Sequence, residues 1–471
     1  MSVDQRFISF PESRSVKVFE KQITLPASAE AVFDWHARPG AFERLTPPWE
    51  QIEVLSHTGG IKDGARVEIQ VRIGPVKKRW IAEHRGYIPG RQFQDVQLGG
   101  PFAHFEHTHR ISPVSERSCV LDDHIEYVLP LGTLGRVFGG RYVRDKLART
   151  FRYRHDITLH DIRAHALYEG RPRMKILVTG GTGLVGSALC PMLTTGGHEV
   201  YRLTRSSPKE ANDIQWNPAT GDLPKAQLEG LDAVVHLAGE NIAGSRWNAK
   251  VKDRLRSSRV EGTKLLCETL AQLQRPPKAL ICASAIGYYG NRGADLLNES
   301  AKPGEGFLAD LCRDWEAACD PARAKGMRVV NLRLGFVLSS KGGGLAAMLL
   351  PFKLGAGGVM GSGHQYWSWV ALDDVVGAIH QSLMNERLSG PVNVSAPTPV
   401  TNYEFTKTLG KVLGRPTIFP MPAFAARLAL GEMANELLLA SARVTPNRLC
   451  ESGYEFRYPT LEGALQHLLG S

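Results

Sequence analysis

Met174-Lys-Ile-Leu-Val-Thr-Gly-Gly-Thr-Gly-Leu-Val-Gly186 decides how most of this chain folds. An aliphatic strand runs into a glycine-rich turn, and a helical pattern follows. Gly180, Gly183 and Gly186 stand at GxxGxxG spacing. The first allows a tight turn, the second lets backbone approach a pyrophosphate, and the third packs helix against strand. The helix N-terminus then faces the phosphates. A glycine pattern alone is weak. Here a strand precedes it, a helix follows, and a second strand, Glu199–Leu203, comes after Gly196-Gly197. The stretch predicts dinucleotide binding, with Gly180, Gly183, Leu184, Val185 and Gly186 at the cofactor. Pro191 falls inside the predicted helix and lacks a backbone donor, so a kink or a late start is expected there.

The end of the second strand chooses the cofactor. An acid there would hydrogen-bond the ribose 2′-hydroxyl of NAD. Leu203-Thr-Arg-Ser-Ser207 has none, and Arg202 and Arg205 bracket the position. A guanidinium suits a 2′-phosphate. The expectation is NADP(H), contacted by Arg205 and Ser206. Further downstream, Asp232–Gly239 reads as a buried strand that brings Leu237, Ala238 and Gly239 to the cofactor edge. Lys278–Ser284 and Arg328–Arg333 are further strands, with helical stretches such as Val260–Leu273 and Leu308–Ala318 between them. Strands alternating with helices predict a doubly wound parallel sheet.

Upstream the pattern changes. Tyr168-Glu-Gly-Arg-Pro-Arg173 is short, polar and broken by Gly and Pro, so it reads as a linker. The boundaries expected are 1–167 for a first unit, 168–173 for the linker, 174–399 for the nucleotide-binding unit and 400–471 for a C-terminal helical extension. The first unit opens with a strand, Val16–Leu25, then a helix through Val32 and Trp35. Runs at Glu50–Ser56, Arg66–Ile73, Lys77–Tyr87, Phe93–Leu98, Ala103–Pro113 and Cys119–Leu129 read as strands. A helix over Leu134–Leu159 closes it. This is an α+β pattern, and a curved sheet around a long helix leaves a cavity suited to an apolar ligand. His107-x-His109 places two imidazoles on one strand face. A metal site needs three or four ligands. No third is evident beside them, although Asp95 and Asp122 are within range, so no metal is assigned.

Length and charge bound the rest. At about 100–200 residues per domain, 471 residues make two or three domains. The net charge of +10 is dispersed. Its densest patch, Arg141 to Arg154, shares a helix with Val143, Leu147 and Phe151 at i, i+4, i+8, which reads as a solvated basic face rather than a nucleic-acid site. No apolar run of about 18 residues spans a membrane. The start, Met1–Ser15, shows no basic region followed by an apolar core, so no secretory leader is expected. Seven scattered cysteines with no CxxC fit a reducing cytoplasm.

Two resemblances follow from these residues. Phe19, Pro26-Ala-Ser-Ala-Glu-Ala-Val-Phe33, Pro47-Pro-Trp-Glu50, Phe93-Gln-Asp95, Gly100-Pro-Phe102 and His107-Thr-His109 resemble the START-like, polyketide-cyclase/dehydrase type of helix-grip domain. The resemblance implies a hydrophobic-ligand-binding unit. Residues 174–471 resemble the extended short-chain dehydrogenase/reductases, in their atypical branch often labelled nucleoside-diphosphate-sugar epimerase family. Thr179–Gly186, His236-Leu-Ala-Gly-Glu240, Ser284-Ala-Ile-Gly-Tyr-Tyr-Gly290, Asp314-Trp-Glu316, Arg333–Leu338, Trp367-Ser-Trp369 with Asp373-Asp374, and Gly390–Ala396 carry it. It implies a Rossmann fold and NADP-linked chemistry.

Typical members of that branch use a Ser and a Tyr-x-x-x-Lys pair to move a proton while hydride moves at the nicotinamide. Phe307-Leu-Ala-Asp-Leu-Cys-Arg-Asp-Trp-Glu316 lacks the pair, and Ala285 holds the usual Ser position. The candidate catalytic groups are therefore Ser284, Tyr288 and Tyr289, with packing as the competing role for the tyrosines. Arg259 is a candidate for phosphate or anionic substrate. Glu240, Arg246, Trp367 and Trp369 are candidates for the substrate side; the two tryptophans, with Gln365, read equally as a stacking wall or as core packing. The reading is an NADP(H)-dependent oxidoreductase or epimerase-like enzyme acting on a carbonyl or hydroxyl compound. The alternative is a non-catalytic NADP(H) sensor or ligand carrier with a vestigial site.

Overall fold

The structure, a computed structural model, describes residues 16–130, 132–218 and 220–471, with backbone only over 132–138. Met1–Ser15, examined above for a leader, lies outside the described residues. The chain divides into two compact units, Met1–Leu167 and Tyr168–Ser471.

In the first unit, alternating strands form one antiparallel sheet. Its members are β1 (Lys17–Leu25), β2 (Ile52–Thr58), β3 (Arg66–Ile73), β4 (Val76–Ile88), β5 (Gln92–Gly99), β6 (His104–Ser115) and β7 (Ser118–Val128). The order is β1-β7-β6-β5-β4-β3-β2, so the first strand pairs with the last. In β7 every second residue is buried, from Cys119 through Leu121, Asp123 and Ile125 to Tyr127. That period of two sets one face against the interior. Helix α1 (Ala29–Ala37) starts at Ser28, whose Oγ accepts from Ala31 N–H at 3.2 Å. It buries Val32, Phe33 and Trp35. Helix α2 (Ala41–Leu45) is tied to the long α3 (Gly132–Ala166) by Arg44, which donates twice to Asp161 at 2.7 and 2.8 Å in a buried pair. Phe151, Tyr153, Ile157 and Ile162 of α3 are buried, with Val143 and Leu147 packed beside Phe151, as the i, i+4, i+8 pattern predicts.

The second unit is built on a seven-stranded sheet. It holds β8 (Lys175–Thr179), β9 (Glu199–Thr204), β10 (Asp213–Gln215), β11 (Ala233–His236), β12 (Ala279–Ala285), then the strands Arg328–Leu334 and Gly390–Val394. The order is β10-β9-β8-β11-β12, followed by those two strands, all parallel. The chain runs outward from β8 in one direction, returns, and continues from β11 in the other. This switch point opens a crevice at the carboxyl ends of β8 and β11. β11 is buried at all four positions and β12 at six of seven, because helices cover both faces. Helix α4 (Gly186–Thr195) begins at the third glycine and runs through Pro191, so the late start expected there does not occur. The helix Leu372–Met384 is buried at every position.

The segment read as a linker packs on this unit. Tyr168 Oη donates to Gln381 Oε1 at 2.7 Å, and Arg171 Nη1 to Met384 O at 2.7 Å. Towards the C-terminus lie the helices Asn402–Leu413, Ala423–Leu430 and Leu461–Leu469. The first is set by a capping box in which Thr401 and Glu404 exchange hydrogen bonds. Among the described residues no helix is long and apolar enough to cross a membrane.

Candidate functional site

The crevice is built from the glycine turn upward. Gly180 has φ +69°, and a Cβ there would stand 2.9 Å from the Leu237 carbonyl and 3.0 Å from Ala238 N. The loops after β8 and β11 therefore touch through bare backbone. Thr179 Oγ1 fastens them, accepting from Leu237 N–H and Ala238 N–H at 3.2 Å each. Having accepted twice, that hydroxyl gives its proton to His236 Nδ1 at 2.7 Å. His236 Nε2 then donates to Thr263 Oγ1 at 2.9 Å, which also accepts from Trp315 Nε1 at 2.9 Å.

Burial holds His236 neutral and pushes its pKa down to about 4. The unfolded chain gains a proton there near pH 6.5 and the folded chain does not. Stability is therefore intact above about pH 6.5 and falls as the pH drops towards 4, by up to about 3 kcal/mol from this group. Denaturant titrations across that range are expected to show the slope, and His236→Asn to flatten it.

The cradle has the features a pyrophosphate needs. Gly183 is exposed, and its N–H donates to Gly180 O at 2.9 Å. Val185 occupies the cap position of α4 with no side-chain cap; Ser187 and Ala188 N–H donate to Gly183 O at 2.9 Å and Val185 O at 3.1 Å, and Gly186 N–H has no partner among the described residues. Leu184 turns the other way, against the backbone of Gly342 and Gly343. An anion at the open helix end fits this arrangement.

At the end of β9 the two arginines part. Arg202 is bound to Asp213 at 2.7 Å, and its stem lies against Gly181. Arg205 is exposed and makes no ion pair or hydrogen bond among the described residues. Ser206 folds back beside it, its N–H donating to Thr204 Oγ1 at 3.3 Å. The nearest acid, Asp213, is thus consumed by Arg202, and one guanidinium is left over.

Past β11, Gly239 lies over Arg259, and a Cβ there would meet the guanidinium at 3.3 Å. Arg259 sits on a π-turn, Ser257–Glu261, a feature common at functional sites. It donates to Glu240 O at 2.9 Å and stacks over Trp315. Glu240 pairs with Arg254 at 3.2 Å. Arg246 is exposed and packs its guanidinium against Gly431.

The predicted catalytic groups turn out to be anchored. Ser284 is buried, and its hydroxyl donates to Glu316 Oε1 at 2.8 Å. Glu316 in turn receives Arg333 in a two-pronged pair at 2.8 and 2.9 Å. Tyr289 is fully buried, with its hydroxyl between Arg333 Nη1 at 3.0 Å and Asn393 Oδ1 at 2.7 Å. Burial pushes its pKa up. Neither group is placed to exchange a proton with a substrate. Tyr288 is half-buried, its ring 3.4 Å beneath the Arg333 guanidinium, and its hydroxyl makes no hydrogen bond among the described residues.

Of the two readings of Trp367 and Trp369, core packing is the one found. Both are buried in the core cluster around Phe405, and their indole N–H groups donate to Leu438 O and Thr398 O at 3.2 Å each. They form no stacking wall. The groups that sequence reasoning missed are Glu316, Arg333 and Asn393, which meet only through the fold. In the first unit, the cavity expected between sheet and α3 holds about 10 Å3 where His36, His109, Asp123, Arg154 and His155 line it. That is room for about one water.

A parallel sheet with a glycine cradle at its switch point defines a Rossmann-type dinucleotide-binding unit. Residues 176–395 match the NAD dependent epimerase/dehydratase family, 25–151 match polyketide cyclase / dehydrase and lipid transport, and 421–468 match a domain of unknown function, DUF1731. The epimerase family protein Mb2239 of Mycobacterium bovis is 43% identical over 290 residues, 62% of this chain and 96% of its own. The structure of the nucleoside-diphosphate sugar epimerase of Corynebacterium glutamicum is similar with a TM-score of 0.78 at 33% identity, over 96% of this chain and 90% of that one. The human epimerase family protein SDR39U1, solved with NADPH, is similar with a TM-score of 0.58 at 35% identity, over 63% of this chain and 99% of that one. The chain belongs to the NAD dependent epimerase/dehydratase family, among the epimerase family proteins.

Proposed function

We propose that the second unit binds NADP(H) and acts as an oxidoreductase or epimerase-like enzyme on a carbonyl or hydroxyl compound. The observation that carries the cofactor choice is Arg205, exposed and unpaired at the end of β9, while Arg202 is spent on Asp213. The human relative solved with NADPH supports it. Gly180, Gly183 and Gly186, with the open N-terminus of α4, would hold the pyrophosphate. Leu237, Ala238 and Gly239 would border the cofactor. Arg205 and Ser206 would hold the 2′-phosphate. When bound, the nicotinamide supplies hydride exchange.

The test is calorimetric titration of the full chain with NADPH and NADH. Arg205→Ala is expected to weaken NADPH about 10–100-fold, the value of a charge-assisted hydrogen bond, and to leave NADH unchanged. Equal loss for both dinucleotides would remove Arg205 from the 2′-phosphate.

With Ser284 and Tyr289 anchored, Tyr288 is the remaining phenol of the three for proton transfer. The same anchoring supports the second reading, an NADP(H) sensor or carrier. Steady NADPH consumption over a carbonyl panel, abolished by Tyr288→Phe, separates the two. The first unit we read as a helix-grip domain for a hydrophobic ligand, supported by the lipid-transport description of its matched family. Seven free cysteines support a reducing, cytoplasmic setting.

A further inference from the structure

The first unit carries a buried group of imidazoles and carboxylates that the nucleotide site does not use. Strand register assembles it. His84, Asp95 and His107 lie side by side on β4, β5 and β6, and His109 lies opposite Asp123 of β7. α3 adds His155. The side chains of His107, His109 and Asp123 are almost wholly buried, while Asp95 keeps 28% of its side chain exposed.

Two carboxylates divide the two central rings between them. Asp123 Oδ1 takes a hydrogen bond from His107 Nε2 at 2.9 Å and lies 2.8 Å from His109 Nδ1. Asp123 Oδ2 takes His155 Nε2 at 2.7 Å. On the other side, Asp95 Oδ2 stands 3.7 Å from His107 Nδ1 and 3.4 Å from His109 Nε2. A carboxylate only accepts, so His107 carries a proton on Nε2. Its Nδ1 faces the Asp95 carboxylate from 3.7 Å, beyond hydrogen-bond reach.

We propose that Asp95, His107 and His109 bind a divalent transition-metal ion, zinc by geometry, with Asp123 as the carboxylate that orients both imidazoles. One ligand atom from each of the three falls within 4.8 Å of the others. Bonds of about 2.0–2.2 Å in a tetrahedral site put ligand atoms about 3.3–3.6 Å apart, against about 3.0 Å for adjacent ligands in an octahedral one. The two edges to Asp95 Oδ2, 3.7 Å from His107 Nδ1 and 3.4 Å from His109 Nε2, where a hydrogen bond now stands, are nearer the tetrahedral spacing than the octahedral one.

The surroundings fit as well. Metal-bound histidines give their other ring nitrogen to a carboxylate; Asp123 receives His107 Nε2 and lies 2.8 Å from His109 Nδ1. His84 Nδ1 lies 3.0 Å from Asp95 Oδ1, beside the third ligand. Phe93 stacks on His109 with ring centroids 4.2 Å apart, and Phe151 meets His107 edge-on at 5.2 Å, which locks both rings before any ion arrives. The exposed edge of Asp95 provides a path in. Three protein ligands leave a position open for water or a substrate oxygen, as in catalytic rather than structural zinc sites. Of the two carboxylates the sequence offered as a third ligand, Asp95 and Asp122, Asp95 is the one at the pair. Asp122 faces outward towards Arg110, and its neighbour Asp123 supports from behind.

The test uses the full chain, stripped with a chelator and titrated with Zn2+ alone. One equivalent is expected to bind, and Co2+ in its place to give the intensified visible absorption of a four-coordinate site. Asp95→Asn is expected to weaken zinc by more than about 100-fold, and Asp123→Asn by about 10–100-fold. In the wild-type chain, nitrogen-resolved NMR of the imidazoles is expected to move His107 Nδ1 and His109 Nε2 on zinc addition. That readout needs no variant to fold. Zinc taken up on thiols such as the exposed Cys450 would leave those resonances in place and overturn the proposal. So would the absence of stoichiometric uptake, or equal affinity in folded Asp95→Asn.

Discussion

Gly186→Ala is expected to remove NADPH binding and to lower the melting temperature of the second unit. The new methyl would stand 2.2 Å from Gly180 O, 2.7 Å from Gly181 Cα and 2.9 Å from Gly180 C. All three are backbone, so no rotamer change relieves the overlap. The φ of Gly186 lies outside the left-handed region, so the cost is collision rather than conformation. Relief requires α4 to slide away from the turn or the turn to open, and either displaces the N–H groups that would meet the pyrophosphate. Overpacking of this kind costs about 1–3 kcal/mol, which lowers Tm by about 3–8 °C in a unit of this size. The loss of NADPH affinity is expected to exceed about 100-fold, because the cradle and the helix end move together. Gly183→Ala is the control. Its methyl would stand 3.2 Å from one carbonyl, at an exposed position. It is expected to keep Tm within about 2 °C and lose binding only. Calorimetry and thermal unfolding on both variants check the pair. Full NADPH affinity in Gly186→Ala would mean that the cofactor does not lie on this turn.

Why the glycine turn was legible, and the polar junction at the end of β12 was not, has a physical cause. The turn is local. Its strand, its φ-positive residue and the first residue of its helix all lie within thirteen residues, and each residue type is dictated by its own backbone. The same holds for β3, read as Arg66–Ile73 and found there, because alternation within one strand carries its own phase. That phase also held information left unused. Leu121, Asp123, Ile125 and Tyr127 share one face of β7, so the inward carboxylate had to be Asp123 and not Asp122. Trp367 and Trp369, which the sequence left open between a substrate wall and core packing, show the opposite weakness. Two large aromatics in a short strand look alike whether they line a cleft or fill a core, and only the packing of Phe405 and the C-terminal helices decides it. The groups at the end of β12 were out of reach for a third reason. Ser284, Glu316, Arg333 and Asn393 come from two strands, a helix and a distant third strand, and no spacing in the sequence brings them together.

That junction gives the second large effect. Arg333→Met is expected to destabilise the second unit by about 3–5 kcal/mol, because it leaves the Glu316 carboxylate buried with Ser284 alone for a partner. Arg333 is 3% exposed and holds four things at once: both oxygens of Glu316, the Tyr289 hydroxyl and the face of Tyr288. Burial opposes its charge, and the Glu316 carboxylate more than offsets that. Removing the pair as a whole is a different experiment. Glu316→Leu with Arg333→Met leaves no unpaired charge, and buried ion pairs replaced by apolar groups of similar volume are often neutral in stability. The double variant is therefore expected to recover most of the loss of Arg333→Met, with a coupling of about 3 kcal/mol or more read by denaturant unfolding. It is not expected to recover function. The floor of the crevice at Tyr288 is set by the guanidinium above its ring and by Tyr289 beside it, and methionine holds neither. Stability and the position of Tyr288 thus depend on one residue through separate contacts. A double variant that regained full turnover would show that Tyr288 needs no such support and that the pair serves the fold alone.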